Sequence, residues 1–409
     1  MKGKKIIVVG GGAAGFFCAI QTKEKYPELD VLLLEKQNKL LQKVKVSGGG
    51  RCNVTHAVES IPHLLEHYPR GKNFLKKVFY QFGPKETIEW FQSNKVPLHT
   101  EVDGRMFPRT NSSQTVIDCL VDKAEKLGVQ IKLSSTVTDV KREGDRFVLT
   151  VNANPITTDY LCVACGGYPK SSQFDWLRNL GHNIIEPVPS LFTFNIKGNK
   201  DLKDLMGVSL EQASIRIQGT KANDFGPLLI THWGLSGPCV LKLSAWQARV
   251  LNELDYEFSI LVNWINQTEN ELREDWNAIR NKMGAQTFSR NPFELPKRLW
   301  LYLIEKADIR EGKKWSELGS KEQNKLIAIL VGQPFEVKGK TTFKEEFVSC
   351  GGIDLKEVNP KTMESRVVPS LYFAGEVLDI DGVTGGFNFQ NAWSTAAVAS
   401  KLSLKNSEL

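Results

Sequence analysis

Near the start of the chain, Lys4-Lys5-Ile6-Ile7-Val8-Val9 runs straight into Gly10-Gly11-Gly12-Ala13-Ala14-Gly15. This is a short apolar strand followed by a G-x-G-x-x-G turn, and it constrains the fold more than any other feature of the chain. Gly10 permits the tight turn, Gly12 lets the backbone approach a pyrophosphate, and Gly15 lets a following helix pack on the strand. The spacing predicts that helix from about Ala13 to Lys25. The amides of Ala13 and Ala14 then fall in its first turn, where N–H groups lack intrahelical acceptors and favour phosphate. Asp30 to Leu34 reads as a second buried strand, and Glu35 ends it 20 residues after Gly15. A carboxylate there accepts hydrogen bonds from a ribose 2′-hydroxyl. The unit is the opening βαβ of a parallel sheet that holds an adenine dinucleotide. The acid at 35 disfavours a 2′-phosphate, which points to NAD or FAD over NADP.

Two distant segments separate these cofactors. In Ser47-Gly48-Gly49-Gly50-Arg51-Cys52-Asn53 the glycines allow close approach to a flat ligand. Arg51 offers a fixed cation and Asn53 both a donor and an acceptor. Near the other end, the strand Leu371–Ala374 leads into Gly375-Glu376 and Asp379, and then into Gly385-Gly386-Phe387-Asn388-Phe389. This strand ending in Ala-Gly-acid resembles the second FAD motif of two-dinucleotide-type flavoproteins, which implies a carboxylate on the ribityl chain and a following helix, beginning near Asn388, that aims its positive end at the flavin pyrimidine. Lys36, Lys43, Val137 and Gly166 complete the set expected to contact the cofactor. Asp379 and Asp381 also suit loop caps.

A chain of 409 residues exceeds one ordinary core. The texture changes near residue 190, becomes charged and Trp-rich over 266–330, and reverts in the last 60 residues. The expected division is 1–190 and 346–409 as one cofactor domain, 191–265 as an inserted β-barrel, 266–330 as an inserted helical piece, and 331–345 as its return strand. Val129 to Val151 reads as a small antiparallel layer. No run of 18 apolar residues occurs, so no membrane span is expected and the cytoplasm is the default location. Seven scattered cysteines do not form a disulfide framework, and the Cys162-x-x-Cys165 pair suits core packing. A net charge of +7 is mild, and no basic tract interleaved with aromatics argues for nucleic acid. No metal site is expected.

Together these segments resemble the BaiN/YhiN-like NAD(P)/FAD-dependent oxidoreductases. The matching stretches are SGGGRCN (47–53), DGRMFP (103–108), GPLLITHWGLSGP (226–238), GGI (351–353), KTMESR (361–366) and LYFAGEVLDIDGVTGGFNFQNAW (371–393). The resemblance implies an α/β fold: a glutathione-reductase-like FAD-binding Rossmann domain carrying an inserted β-barrel and a small helical bundle. It departs at His56, at Gln42 and in the short stretch after Gly167, and these changes weaken any transfer of substrate. Within the insert, Ser236 is placed to cap a helix opening at Pro238. His232 is a candidate proton donor and Cys52 a candidate flavin-facing thiol; packing roles compete with both. Arg105 and Arg109 suit an anionic ligand or surface pairing. The implied function is an FAD-dependent oxidoreductase acting on a small organic substrate. NADH or NADPH would reduce the flavin transiently, or an amine would reduce it and oxygen reoxidise it. The alternative is a flavin-containing factor that binds RNA or another partner through its basic helical insert. Oligomeric state is not legible.

Overall fold

In the computed structural model, residues 3–198, 200–341 and 348–403 are described. Lys5–Val9 forms the centre of a five-stranded parallel sheet. Its strand order is Leu371–Phe373, Tyr160–Val163, Lys5–Val9, Asp30–Leu34, Gln130–Lys132. Four of these strands are almost wholly buried, as expected of parallel strands covered on both faces. Helix Ala13–Lys25 covers one of those faces with Phe16, Phe17 and Ile20 fully buried. Gln130–Lys132 departs from the antiparallel layer expected for 129–151: it pairs parallel with Leu32–Leu34 and forms the sheet's edge. Only Val137–Glu143, Arg146–Val151 and Asn154–Thr158 form the antiparallel layer. Register carries the functional consequence. Val9 lies opposite both Leu34 and Val163, and Val163 opposite Phe373, so four strands end level. Gly10, Glu35, Ala164 and Ala374 therefore stand side by side at the carboxyl edge, where open α/β sheets bind ligands.

The chain divides into two units, Met1–Ser190 with Phe343–Leu409, and Leu191–Thr342. The second unit is built on a closed six-stranded barrel of Thr193–Ile196, Gly234–Ser236, Asn223–Ile230, Ser209–Ile217, Glu257–Asn263 and Gln333–Thr341. Three helices, Glu269–Met283, Lys297–Lys306 and Ser320–Gly332, extend its core. Trp276, Trp300 and Trp315 are buried there, and Phe288 stacks on Trp315 at 4.2 Å. The α/β Rossmann fold with an inserted barrel and helices is thus present. The helix at Pro238 is capped by Gly237, not by Ser236; the Ser236 hydroxyl instead accepts from Thr193 at 2.9 Å. The last helix spans Phe387–Ala399. The stretch of the return strand beyond 341 lies outside the described residues. Among the described residues no helix is long and apolar enough to cross a membrane, and no cluster of His, Cys, Asp and Glu could hold a metal ion.

Candidate functional site

The glycine turn is built by exclusion. A Cβ on Gly15 would overlap the Gly10 carbonyl oxygen, and one on Gly10 (φ +115°) would overlap the Ala164 carbonyl. Around Gly12, by contrast, a Cβ would meet nothing within 4 Å. The turn is therefore closed toward the sheet and open outward. No side chain caps helix Ala13–Lys25, and its first turn holds no acid, so its N-terminal field faces that opening. Glu35 closes the turn from the neighbouring strand: its Oε2 accepts from Gly11 N at 2.7 Å and its Oε1 from Gln37 N at 2.7 Å. A carboxylate retains lone pairs beyond these two bonds. Glu35 thus shapes the turn and keeps acceptor capacity for a ribose. Val137 stands two residues beyond Ser135, whose N–H donates to the Glu35 carbonyl at 2.8 Å. Lys36 lies over the Tyr168 ring at 5.2 Å.

The second wall comes from the strand ending at Phe373. A Cβ on Gly375 would press on Ala14 at 2.8 Å, so this turn packs on the helix start. Glu376 Oε2 pairs with Lys43 Nζ at 2.6 Å, and Oε1 accepts from Ser349 N at 3.0 Å. Gly166 and Gly167 face the same carboxylate. Its side chain is largely buried, yet its lysine partner is half exposed.

The third wall joins residues near 50 to residues near 387. Gly48, Gly49 and Gly50 all have positive φ, as does Cys52, so Ser47–Asn53 coils tightly. A Cβ on Gly49 would meet nothing within 4 Å. Trp393 Nε1 donates to the Val54 carbonyl at 2.9 Å, and Thr55 Oγ1 to Gln390 Oε1 at 2.5 Å. These bonds fasten segment 53–55 along helix Phe387–Ala399. Gly386 caps that helix in the left-handed region with no side-chain cap, and a Cβ there would approach Asn53 Oδ1 at 2.8 Å. Among the described residues, Asn53 Oδ1 is buried without a hydrogen-bond partner. An orphaned acceptor beside an uncapped helix N-terminus matches a ring edge carrying an N–H next to a carbonyl, as the flavin pyrimidine does. Asn388 spans its own loop, bonding both N and O of Gly382 at 2.8 Å, and Phe389 stacks on Trp393 at 5.7 Å.

Some expected roles change. Arg51 is held by its neighbours: Nη1 binds Glu101 Oε1 at 2.6 Å and the guanidinium lies 4.0 Å from the Phe107 ring centre. Cys52 is fully buried and its thiol is pushed up to about 12, so it is not a thiolate nucleophile at neutral pH. Arg105 pairs with Glu101 and Asp103. His232 is exposed on the barrel unit and packs edge-on against Trp233 at 5.1 Å. Asp379 N donates to the Ile353 carbonyl at 3.1 Å.

The sequence reading missed the grip on loop 380–387. Tyr68 Oη donates to the Phe387 carbonyl at 2.7 Å, and Val383 N donates to the His67 carbonyl at 2.9 Å. The rings of His67 and His56 lie nearly parallel to Phe387 at 4.2 and 4.9 Å. Arg70 pairs with fully buried Asp381 through two nitrogens, and Ser190 Oγ adds a bond to the same carboxylate at 2.7 Å. Asp381 and Phe387 lie inside the matching 371–393 segment, which flagged them; Tyr68 and Arg70 lie in no matching segment.

The open glycine turn, the retained capacity of Glu35, the buried Glu376 and the orphaned Asn53 acceptor all fit FAD in extended form. Comparison with known proteins agrees. The family model described as HI0933-like protein Rossmann domain matches residues 4–402. A ribosomal RNA dihydrouridine synthase of Escherichia coli (strain K12) is 32% identical over 401 residues, 95% of each chain. A 3-dehydro-bile acid delta(4,6)-reductase of Clostridium scindens is 29% identical over 410 residues, 97% of this chain and 98% of the relative. Among solved structures, the 3-ketosteroid delta1-dehydrogenase of Sterolibacterium denitrificans superposes with a TM-score of 0.52 at 11% identity, covering 97% of this chain and 98% of that one; at this identity it shows the fold alone. This chain belongs to the HI0933-like Rossmann family and is an FAD-dependent oxidoreductase.

Proposed function

We propose that the chain carries hydride from NADH or NADPH, by way of FAD, to a carbon–carbon double bond conjugated with a carbonyl. The uracil ring of an RNA is the first substrate to test. The observation behind the cofactor reading is the level carboxyl edge, which sets the Gly10–Gly15 turn, Glu35 and Glu376 in one row. The substrate class comes from the relatives. Forming dihydrouridine saturates a ring alkene next to a carbonyl, and so does delta-4 reduction of a 3-oxo bile acid. One bond chemistry thus serves two relatives that each align with at least 95% of this chain. A second ribosomal RNA dihydrouridine synthase, from Haemophilus influenzae, is 31% identical, and this supports testing RNA before a steroid. The relatives' names run against the expectation that nucleic acid is an unlikely partner. They also turn the partner-binding alternative into part of an enzymatic reading.

FAD, when bound, supplies hydride at N5. The residues of this chain would orient it: the helix at Ala13 would hold the diphosphate, Glu35 and Glu376 the hydroxyls, and Asn53 with the Gly386 helix end the pyrimidine edge. The saturation also needs one proton at the carbon next to the carbonyl. The test is anaerobic stopped-flow spectroscopy. NADPH or NADH should bleach the flavin, and a uridine-containing ribosomal RNA fragment should restore its visible absorbance while gaining two hydrogens by mass. If neither that RNA nor a 3-oxo-delta-4 steroid reoxidises the flavin, the proposed reaction is wrong.

A further inference from the structure

Three histidines step outward from the third wall of the site. His56 and His67 are half-buried and His63 is exposed, with ring centres 5.9 and then 5.5 Å apart. His56 and His67 both lie nearly parallel to Phe387, the first residue of the helix that Gly386 caps. These rings have little room to move. A Cβ on Gly104 would overlap His56 Cε1, and one on Gly385 or Gly382 would press on Phe387. His56 Nδ1 is buried without a hydrogen-bond partner among the described residues, whereas the Asp103 backbone bonds the ring. A neutral imidazole that donates through one nitrogen keeps a lone pair on the other. That lone pair is a proton-accepting site held in a fixed place.

The charged groups around the rings are paired. Arg105, opposite His56 across the strand pair, is answered by Glu101 and Asp103, and Glu101 also holds Arg51. On the loop side Arg70 answers Asp381, with Asp379 adding to the same balance. His63 faces Glu66 at 4.0 Å. These surroundings keep His56 neutral: burial disfavours its charged form first and His67 next, against a weaker pull from Asp103. Negative charge arriving at the pyrimidine edge reverses that balance. Asn53 and Gly386, the groups set at this edge, stand three residues from His56 and one from Phe387. Three residues of extended chain span at most about 11 Å. Over such a distance, in a half-buried site, one unit charge favours protonation of the ring roughly tenfold.

We propose that His56, pressed against Phe387 with His67 beside it, accepts the second proton when the flavin is reduced. The inference rests on the placement of the pyrimidine edge given under the proposed function, and not on RNA. Two electrons and one proton enter at N5, which leaves one added negative charge on the flavin; a second proton, from water, goes to His56 Nδ1 and balances it. His67, 5.9 Å away, cannot hold a proton at the same time without repulsion, so the pair takes one. The experiment is the midpoint potential of the FAD-loaded protein across pH, by dithionite reduction in equilibrium with reference dyes. Relative to His56→Asn, the parent's potential should rise by about 30 mV from pH ~8.5 to pH ~5.5, the worth of a tenfold preference in a two-electron couple. His67→Gln removes the neighbour that opposes the charge, so the rise should move to higher pH; this variant carries the test where His56→Asn fails to hold FAD. A constant separation between parent and His56→Asn at every pH overturns the proposal, and so does a rise that His67→Gln leaves in place. Asn53→Ala tests the placement itself and should shift the potential at every pH or weaken FAD. If it does so while His56→Asn tracks the parent, the placement stands and the proton site falls; if neither variant has any effect, both fall.

Discussion

Arg70→Ala tests whether the grip on loop 380–387 holds the cofactor domain together. Asp381 is fully buried, whereas the Arg70 side chain is 16% exposed. Removing the arginine leaves a carboxylate that water cannot reach, with the Ser190 hydroxyl as its remaining side-chain partner among the described residues. Breaking a buried pair from one side costs about 3–5 kcal/mol, and one remaining hydrogen bond offsets roughly 1 kcal/mol. A loss of about 2–4 kcal/mol follows, a large share of a typical domain's stability of about 5–15 kcal/mol. Asp381→Asn should cost less, because its stranded partner sits near water and can turn toward it. The double replacement Arg70→Met with Asp381→Leu should recover most of the loss, since no charge is left buried. The assay is urea unfolding of FAD-loaded protein, followed by flavin release, which reports the cofactor unit alone. If Arg70→Ala costs under about 1 kcal/mol, or if Asp381→Asn costs as much, then the carboxylate is not sealed from water as this reasoning requires.

Gly15→Ala should abolish FAD retention on purification, because its Cβ would overlap the Gly10 carbonyl; yellow protein from this variant would contradict the turn geometry. Glu35→Ala removes the charge-assisted bond to Gly11 of the turn, together with the one from Gln37 N, and should weaken FAD at least about 10-fold by calorimetry, a bond of this kind being worth about 1.5–3 kcal/mol. Burial lowers the pKa of His56, aided by nearby His67, and also lowers that of His182 against the opposing pull of Glu357. An unfolded histidine takes its proton near pH ~6.5, so the unfolded chain binds more protons below that pH. Stability should therefore be complete above pH ~6.5 and fall as pH drops beneath it. Thermal melts at successive pH values would show this, and a flat profile down to pH ~5.5 would refute it. Iodoacetamide at pH ~8 should label Cys52 roughly a thousandfold more slowly than an exposed thiol, read by mass spectrometry.

What the sequence made legible and what it hid divide along one physical line. Strand Lys5–Val9, its turn, helix Ala13–Lys25 and Asp30–Leu34 could be read because each depends on neighbours within a few residues: apolar runs, glycine spacing, helical period. Gln130–Lys132 was misassigned because a short edge strand with mostly exposed side chains has no period that reveals which partner it takes; only its register with Leu32–Leu34 does. The pairing of Arg51 with Glu101 was not legible because Glu101 lies 50 residues away. The Arg70–Asp381 pair spans 311 residues, and the His182 ring bonds both Glu357 at 3.0 Å and Ser365 at 3.1 Å across more than 170. Such pairs leave no local trace, because a buried charge is selected by what the fold brings to it. The cofactor site shows both sides of this. Its glycines are written in sequence because backbone shape is a local demand. The clamps on its far wall, Tyr68 and Arg70, are not, because they answer to a loop that arrives from the other end of the chain. Substitutions at those clamps should therefore alter FAD affinity without touching any recognisable motif.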